Sequence, residues 1–133
     1  MHLLTRRGIR RATVRAAISI ALALVVGLAS TAFATESRRG SCSGGPGHWR
    51  LAVGRVDADT LRVRFRIEDV PTGQTWQIFL SDDGVRVFTG ERVSDSNGEV
   101  RARRLIPDRA GADTIGASGV SATGITCSGS LTF

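Results

Sequence analysis

Two cysteines, two histidines and twelve carboxylates are the groups in this 133-residue chain from which a reactive or ligating site could be built. Cys42 and Cys127 lack the Cys-x-x-Cys spacing of a redox pair, and with His48 they fall short of a four-ligand zinc set. An even number of cysteines in an exported chain predicts a disulfide between them, joining the start of a domain to its end. His48 sits in a Gly-Pro-Gly-His-Trp run, at a loop edge with no Ser-His-Asp arrangement around it. Paired carboxylates for acid–base work can be sought among Asp57, Asp59, Asp82, Asp83, Asp108 and Asp113. All fall in predicted turns, where Asp is favoured because its side chain bonds nearby backbone. For calcium, Asp57-Ala58-Asp59 and the Asp95 to Glu99 stretch have neither the length nor the ligand number of a calcium loop. The glycines of SCSGGPG follow no strand and open no helix, so they make no phosphate cradle. The expectation is a protein with no catalytic residue, no metal and no cofactor.

The compartment follows from the first segment. Arg6, Arg7, Arg10, Arg11 and Arg15 form a basic leader without an acid. Residues 16–29 are an uncharged apolar run of 14, short of the roughly 20 residues of a spanning helix. Ala32-Phe33-Ala34 then supplies small residues where a signal peptidase reads them, so residues 1–34 are expected to be a cleaved signal peptide and the protein secreted. The paired arginines leave general and twin-arginine export both open. The net charge of +6 belongs mainly to this leader: the remainder has thirteen arginines against twelve acids, near neutrality. That balance argues against nucleic acid as a partner, which demands a real positive excess on one face.

The elements behind these residues are strands. Residues 35–45 are polar and glycine-rich and are expected to be a flexible arm before a domain over 46–133. Trp49, Leu51 and Val53 alternate with polar or small residues. Leu61, Val63, Phe65 and Ile67 alternate with Arg62, Arg64, Arg66 and Glu68, one face apolar and the other solvated. The arginines here read as a solvated strand face flanked by acids. Asp57-Ala58-Asp59 predicts a hairpin setting Val53 opposite Val63, and Asp83-Gly84 and Asn97-Gly98 predict type I′ turns. Trp76, Ile78 and Leu80 form one inward set. Ile125, Cys127, Leu131 and Phe133 form another, with Gly129 between them. Seven or eight short strands with turns between them predict an antiparallel β-sandwich.

The order of a first strand with Trp, an alternating second strand, GQTWQIFLSDDGVRVFTG, NGEV and DRAGADTIGASGVSATGITCSG resembles the immunoglobulin-like sandwiches of secreted bacterial proteins. It resembles in particular small single-disulfide proteins of high-G+C Gram-positive bacteria. Trp76 matches the buried tryptophan of that fold. The disulfide does not match, because it would not join the second and sixth strands, and the tyrosine corner has no tyrosine. The resemblance implies a fold and an extracellular or envelope address, with no activity and no site residues.

One surface feature remains. With Asp83-Gly84 as a two-residue turn, Leu80 would face Val87 in the core and Phe79 would face Phe88 outside, with Arg86 on the same outer face. Phe79, Phe88 and Arg86 are thus the candidate contact patch of a secreted, non-catalytic binding module. Its partner would be a protein or glycan at the cell envelope. The alternative is an inhibitor of a secreted enzyme, presenting the loop from Asp69 to Gln74. If the leader reading holds, mass spectrometry of the exported protein will find Thr35 at its amino terminus; intact leader in the membrane fraction would exclude it.

Overall fold

The computed structural model describes Gly27 and residues 33–133; the rest of the expected leader lies outside the described residues. The eight strands are β1 (Thr35–Ser41), β2 (His48–Asp57), β3 (Thr60–Glu68), β4 (Thr75–Asp82), β5 (Val85–Val93), β6 (Val100–Pro107), β7 (Thr114–Ser121) and β8 (Thr126–Thr132). They form two four-stranded antiparallel sheets, ordered β1-β2-β3-β6 and β5-β4-β7-β8. Setting β1 aside, this is an immunoglobulin-like antiparallel β-sandwich, with the chain crossing between sheets after β3, β5 and β6.

The alternating sequence sets face each other as the period of two requires. Leu51, Val53, Leu61, Val63, Phe65 and Ile67 from one sheet, and Trp76, Ile78, Leu80, Ile115, Cys127 and Leu131 from the other, are buried between the layers. Trp76 lies wholly in this core. In antibody domains a disulfide joins the strands corresponding to β3 and β7. Here those strands close through a glycine: a β-carbon on Gly119 would come within 2.6 Å of the Ile67 side chain. The disulfide sits elsewhere, between Cys42 just after β1 and Cys127 on β8, 85 residues apart. Ser43 pairs with Thr126 beside it, so edge strands of the two sheets meet there.

Trp49 closes the same side of the sandwich. It points inward from β2, and its ring occupies space vacated by two glycines. A β-carbon on Gly40 of β1 would stand 2.7 Å from the ring, and one on Gly129 of β8 would overlap it.

Three expectations need correction. Residues 35–41 are not a flexible arm but strand β1, paired with β2 from Thr35↔Gly54 to Ser41↔His48. β1 buries almost no side chain, so its stability comes from backbone pairing and the adjacent disulfide, which leave no hydrophobic pattern to read. Asn97-Gly98 is not a type I′ hairpin: β5 and β6 lie in different sheets. The turn spans Asp95 to Gly98, with the Asp95 carboxylate accepting the Asn97 and Glu99 amides and Gly98 at φ 70°. Third, the β4–β5 register departs from the uniform pairing that the Asp83-Gly84 turn predicts. Two other readings hold: Val53 pairs with Val63, and Asp83 and Gly84 take φ of 48° and 80°, as a type I′ turn requires.

Filling the Trp49 seat tests this packing. Gly129→Ala is expected to destabilise the fold by about 1–3 kcal/mol through overpacking, lowering the urea midpoint at unchanged m-value.

Candidate functional site

The sequence-derived patch assembles only in part. Phe79 pairs with Thr89 and Leu80 with Phe88, while Ser81 pairs with Arg86 and Asp82 with Val85. The turn sets the first two pairs as expected. The register then shifts between Leu80 and Ser81, leaving Val87 as the extra residue of a β-bulge. Beyond the bulge every pairing moves by one, and Phe88 turns to the side of Leu80. Val87 and Phe88 are both half-buried against the core. Phe88 lies over Gly90, with the Arg92 guanidinium 5.2 Å from its centroid.

Phe79 and Arg86 do remain together on the outer face of β4 and β5. The Arg86 guanidinium lies 4.4 Å from the Phe79 centroid. They line a shallow groove with Ser81, Gly116 and Ser118. Because the cation already covers the ring, Phe79 is not a free stacking platform for a ligand.

The inhibitor loop is firmly held. Val70 is buried, and the Ser94 hydroxyl accepts the Gln74 amide and donates to the Pro71 carbonyl. Beyond the exposed Asp69 and the buried Val70, Pro71 to Gly73 form a three-residue exposed tip.

The opposite sheet carries a feature that sequence reasoning missed. On the outer face of β1-β2-β3-β6, register sets Arg39 opposite Arg50, Arg50 opposite Arg66, Arg66 opposite Arg101, and Arg64 opposite Arg103. Arg62 shares this face. Glu68 and Glu99 reach it at one end only: Arg66 pairs with both, at 2.8 and 2.6 Å, and Arg101 pairs with Glu99 at 2.7 Å. Arg101 first, then Arg66, hold the Glu99 carboxyl below the usual range. Among the described residues, Arg39, Arg50, Arg62, Arg64 and Arg103 have no carboxylate partner within ion-pair distance. Like charges directly across strands cost stability, so this face is costly as a merely solvated surface. The signal lay in VRARRL, which alternates Arg101 and Arg103 in phase with Arg64 and Arg66, but only the β3–β6 pairing brings the two rows together.

The acids gather at one end of the sandwich. Asp82 ends β4, Asp83 begins the turn and Asp113 precedes β7. One carboxylate oxygen from each lies within 4.8 Å of the others. Asp82 and Asp113 are 3% and 1% exposed, and Asp82 Oδ1 and Asp113 Oδ2 have no hydrogen-bond partner. Burial first, then the Asp82 carboxylate, push Asp113 up to about 6. Burial and Asp83 raise Asp82 as well. Neighbouring Asp108 is bound by Arg55. His48 stands apart, exposed beside Asp69 at 3.3 Å.

No family model and no curated protein matches the chain. Solved structures similar to it include two of low sequence identity. One is the Br derivative of BhCBM56, at 13% identity over 71% of this chain and 98% of that one, with a TM-score of 0.36. The other is beta-glucosidase 3B from Thermotoga neapolitana in complex with glycerol, at 17% identity and a TM-score of 0.35. The match takes in 74% of this chain but only 16% of the glucosidase. Neither likeness transfers a residue, a ligand or an activity.

The raised Asp113 pKa fixes the sign of a pH effect. Between the ordinary value of 3.8 and about 6 the folded state holds a proton that the unfolded state has released. Stability should therefore fall as pH rises through that window and level off above it. Glu99 and Asp57, both lowered, act with the opposite sign below their ordinary values of 4.5 and 3.8. Urea unfolding at stepped pH in chelator-containing buffer is expected to show the decline between about 4 and 6, and Asp113→Asn to flatten it.

Proposed function

We propose that this is a secreted, non-catalytic binding module, and that its arginine-rich sheet face holds an anionic glycan of the cell envelope or its surroundings. The observation that carries the reading is the cross-strand pairing of Arg64 with Arg103 and of Arg50 with Arg66, with carboxylates at only one end. Neighbouring strands lie about 4.8 Å apart, and alternate residues along a strand about 6.8 Å, so the arginine side chains spring from a regular grid of backbone positions. Each presents a planar fork suited to a carboxylate, sulfate or phosphate oxygen pair. An anionic chain lying across the grid would relieve the like-charge repulsion.

The near-neutral balance of residues 35–133 makes the charge local, which favours short-range capture over the long-range pull of a strongly basic protein. The disulfide supports an oxidising, extracellular address. Among the described residues no helix is long and apolar enough to cross a membrane. The inhibitor reading stands second, because the exposed tip of the Asp69 to Gln74 loop is short for insertion into an enzyme cleft.

Affinity chromatography of the exported protein on carboxylated and sulfated polysaccharides tests the reading. Wild type is expected to be retained at low salt and eluted as salt rises, with Arg64→Glu plus Arg103→Glu abolishing retention. Phe79→Ser plus Arg86→Ser should leave it unchanged. No retention of folded wild type on any anionic glycan would end the proposal, and preferential capture of nucleic acid would redirect it.

A further inference from the structure

The acidic end of the sandwich has no part in the arginine face, and its geometry poses a separate problem. Asp82 and Asp113 belong to sequence segments about thirty residues apart. The β4–β7 ladder joins them: Asp82 pairs with Ile115, the Asp83 amide donates to the Thr114 carbonyl, and the Thr114 amide donates to the Asp83 carboxylate at 2.8 Å. On the other side, Asp113 and Phe133 exchange backbone hydrogen bonds of 3.0 and 2.9 Å. The backbone that carries the three carboxylates is therefore pinned from two directions.

Such burial is costly for ionised groups unless they are paired or bind a metal. Two of these carboxylates are more than nine-tenths buried, each has an oxygen without a hydrogen-bond partner, and the three converge to within 4.8 Å. No arginine is within ion-pair distance of Asp82, Asp83 or Asp113 among the described residues, since Arg55 is taken by Asp108. Arg109 acts on Asp82 only through space. The donors are all oxygen, with no histidine or thiol beside them.

We propose that Asp82, Asp83 and Asp113 form a divalent-cation site of the calcium class that ties the β4–β5 turn to the start of β7. Calcium takes six to eight oxygens in irregular arrangements, whereas magnesium demands a near-octahedral shell and keeps most of its water. Two buried carboxylates and one exposed one suit the former: Asp82 and Asp113 meet the ion from the core side, and Asp83 leaves its outer side open to water. The site needs no continuous calcium loop, so the sequence shows no such motif. It is independent of the glycan reading, since none of its residues lies on the arginine face.

The test uses the exported protein, stripped with chelator and titrated with calcium or magnesium chloride at near-neutral pH. Thermal unfolding should show a saturable rise on the order of 10 °C with calcium and a smaller one with magnesium. Calorimetry should give one ion per chain. Asp113→Asn and Asp82→Asn remove a buried like-charge contact, so both should fold and melt no lower than the stripped wild type, yet lose the calcium response. Asp59→Asn, outside the cluster, should keep it. Folded wild type indifferent to millimolar calcium, an Asp113→Asn protein that responds like wild type, or magnesium acting as strongly as calcium would each overturn the assignment.

Discussion

The clasp along one side of the sandwich governs much of the rest. Two sheets stacked face to face hold together through apolar burial, which is strong but non-directional and does not by itself fix how the edges align. Here the alignment is set by Cys42–Cys127 and by Trp49 seated on Gly40 and Gly129. The disulfide closes a separation of 85 residues, a constraint on the unfolded chain worth about 4–5 kcal/mol in the chain-entropy model. That is a large fraction of the 5–15 kcal/mol typical of a whole domain. Because β1 leads directly into Cys42, the same bond also keeps a strand with hardly any buried side chain in the sheet. That strand contributes Arg39 to the basic face, so the surface proposed to bind depends on the clasp beneath it.

The two sheet faces divide the chemistry between them. One outer face carries arginines in register; the other carries hydroxyls and small residues around the Phe79–Arg86 stack. The acids lie mostly in turns, and at one end the fold presses three of them together. The near-neutral composition of residues 35–133 therefore conceals a strongly sorted surface. A net charge measures the sum, whereas a ligand meets the local arrangement.

Sequence reading succeeds here where one strand suffices. The alternation from Leu61 to Ile67 reports its own burial, and the Asp83-Gly84 turn reports its own φ angles. It fails where a feature belongs to two strands at once. The turn correctly sets the nearest pairs, but nothing in GVRVF marks Val87 as a bulge, and that one residue carries Phe88 to the other side. The arginine rows of β3 and β6 are each unremarkable alone and become a grid only through their pairing. Likewise Asp82 and Asp113 each look like turn residues; their burial exists only after β4 and β7 are adjacent. β1 is the converse case, a strand whose stability is in its backbone and so leaves no trace in side-chain pattern.

The bulge at Val87 bears on how these molecules behave when crowded together. β5 is the outermost strand of its sheet, and Val85 and Val93 are exposed on it. A straight edge would template a neighbour's strand, a tendency that Arg86, Glu91 and Arg92 on β5 already oppose with charge. The inserted residue changes the spacing of the free amides and carbonyls partway along and increases the local twist. A second molecule docking there could match the edge before the bulge or after it, but not both. The same irregularity that defeats the simple register thus also works against edge-to-edge pairing between copies of this all-strand fold.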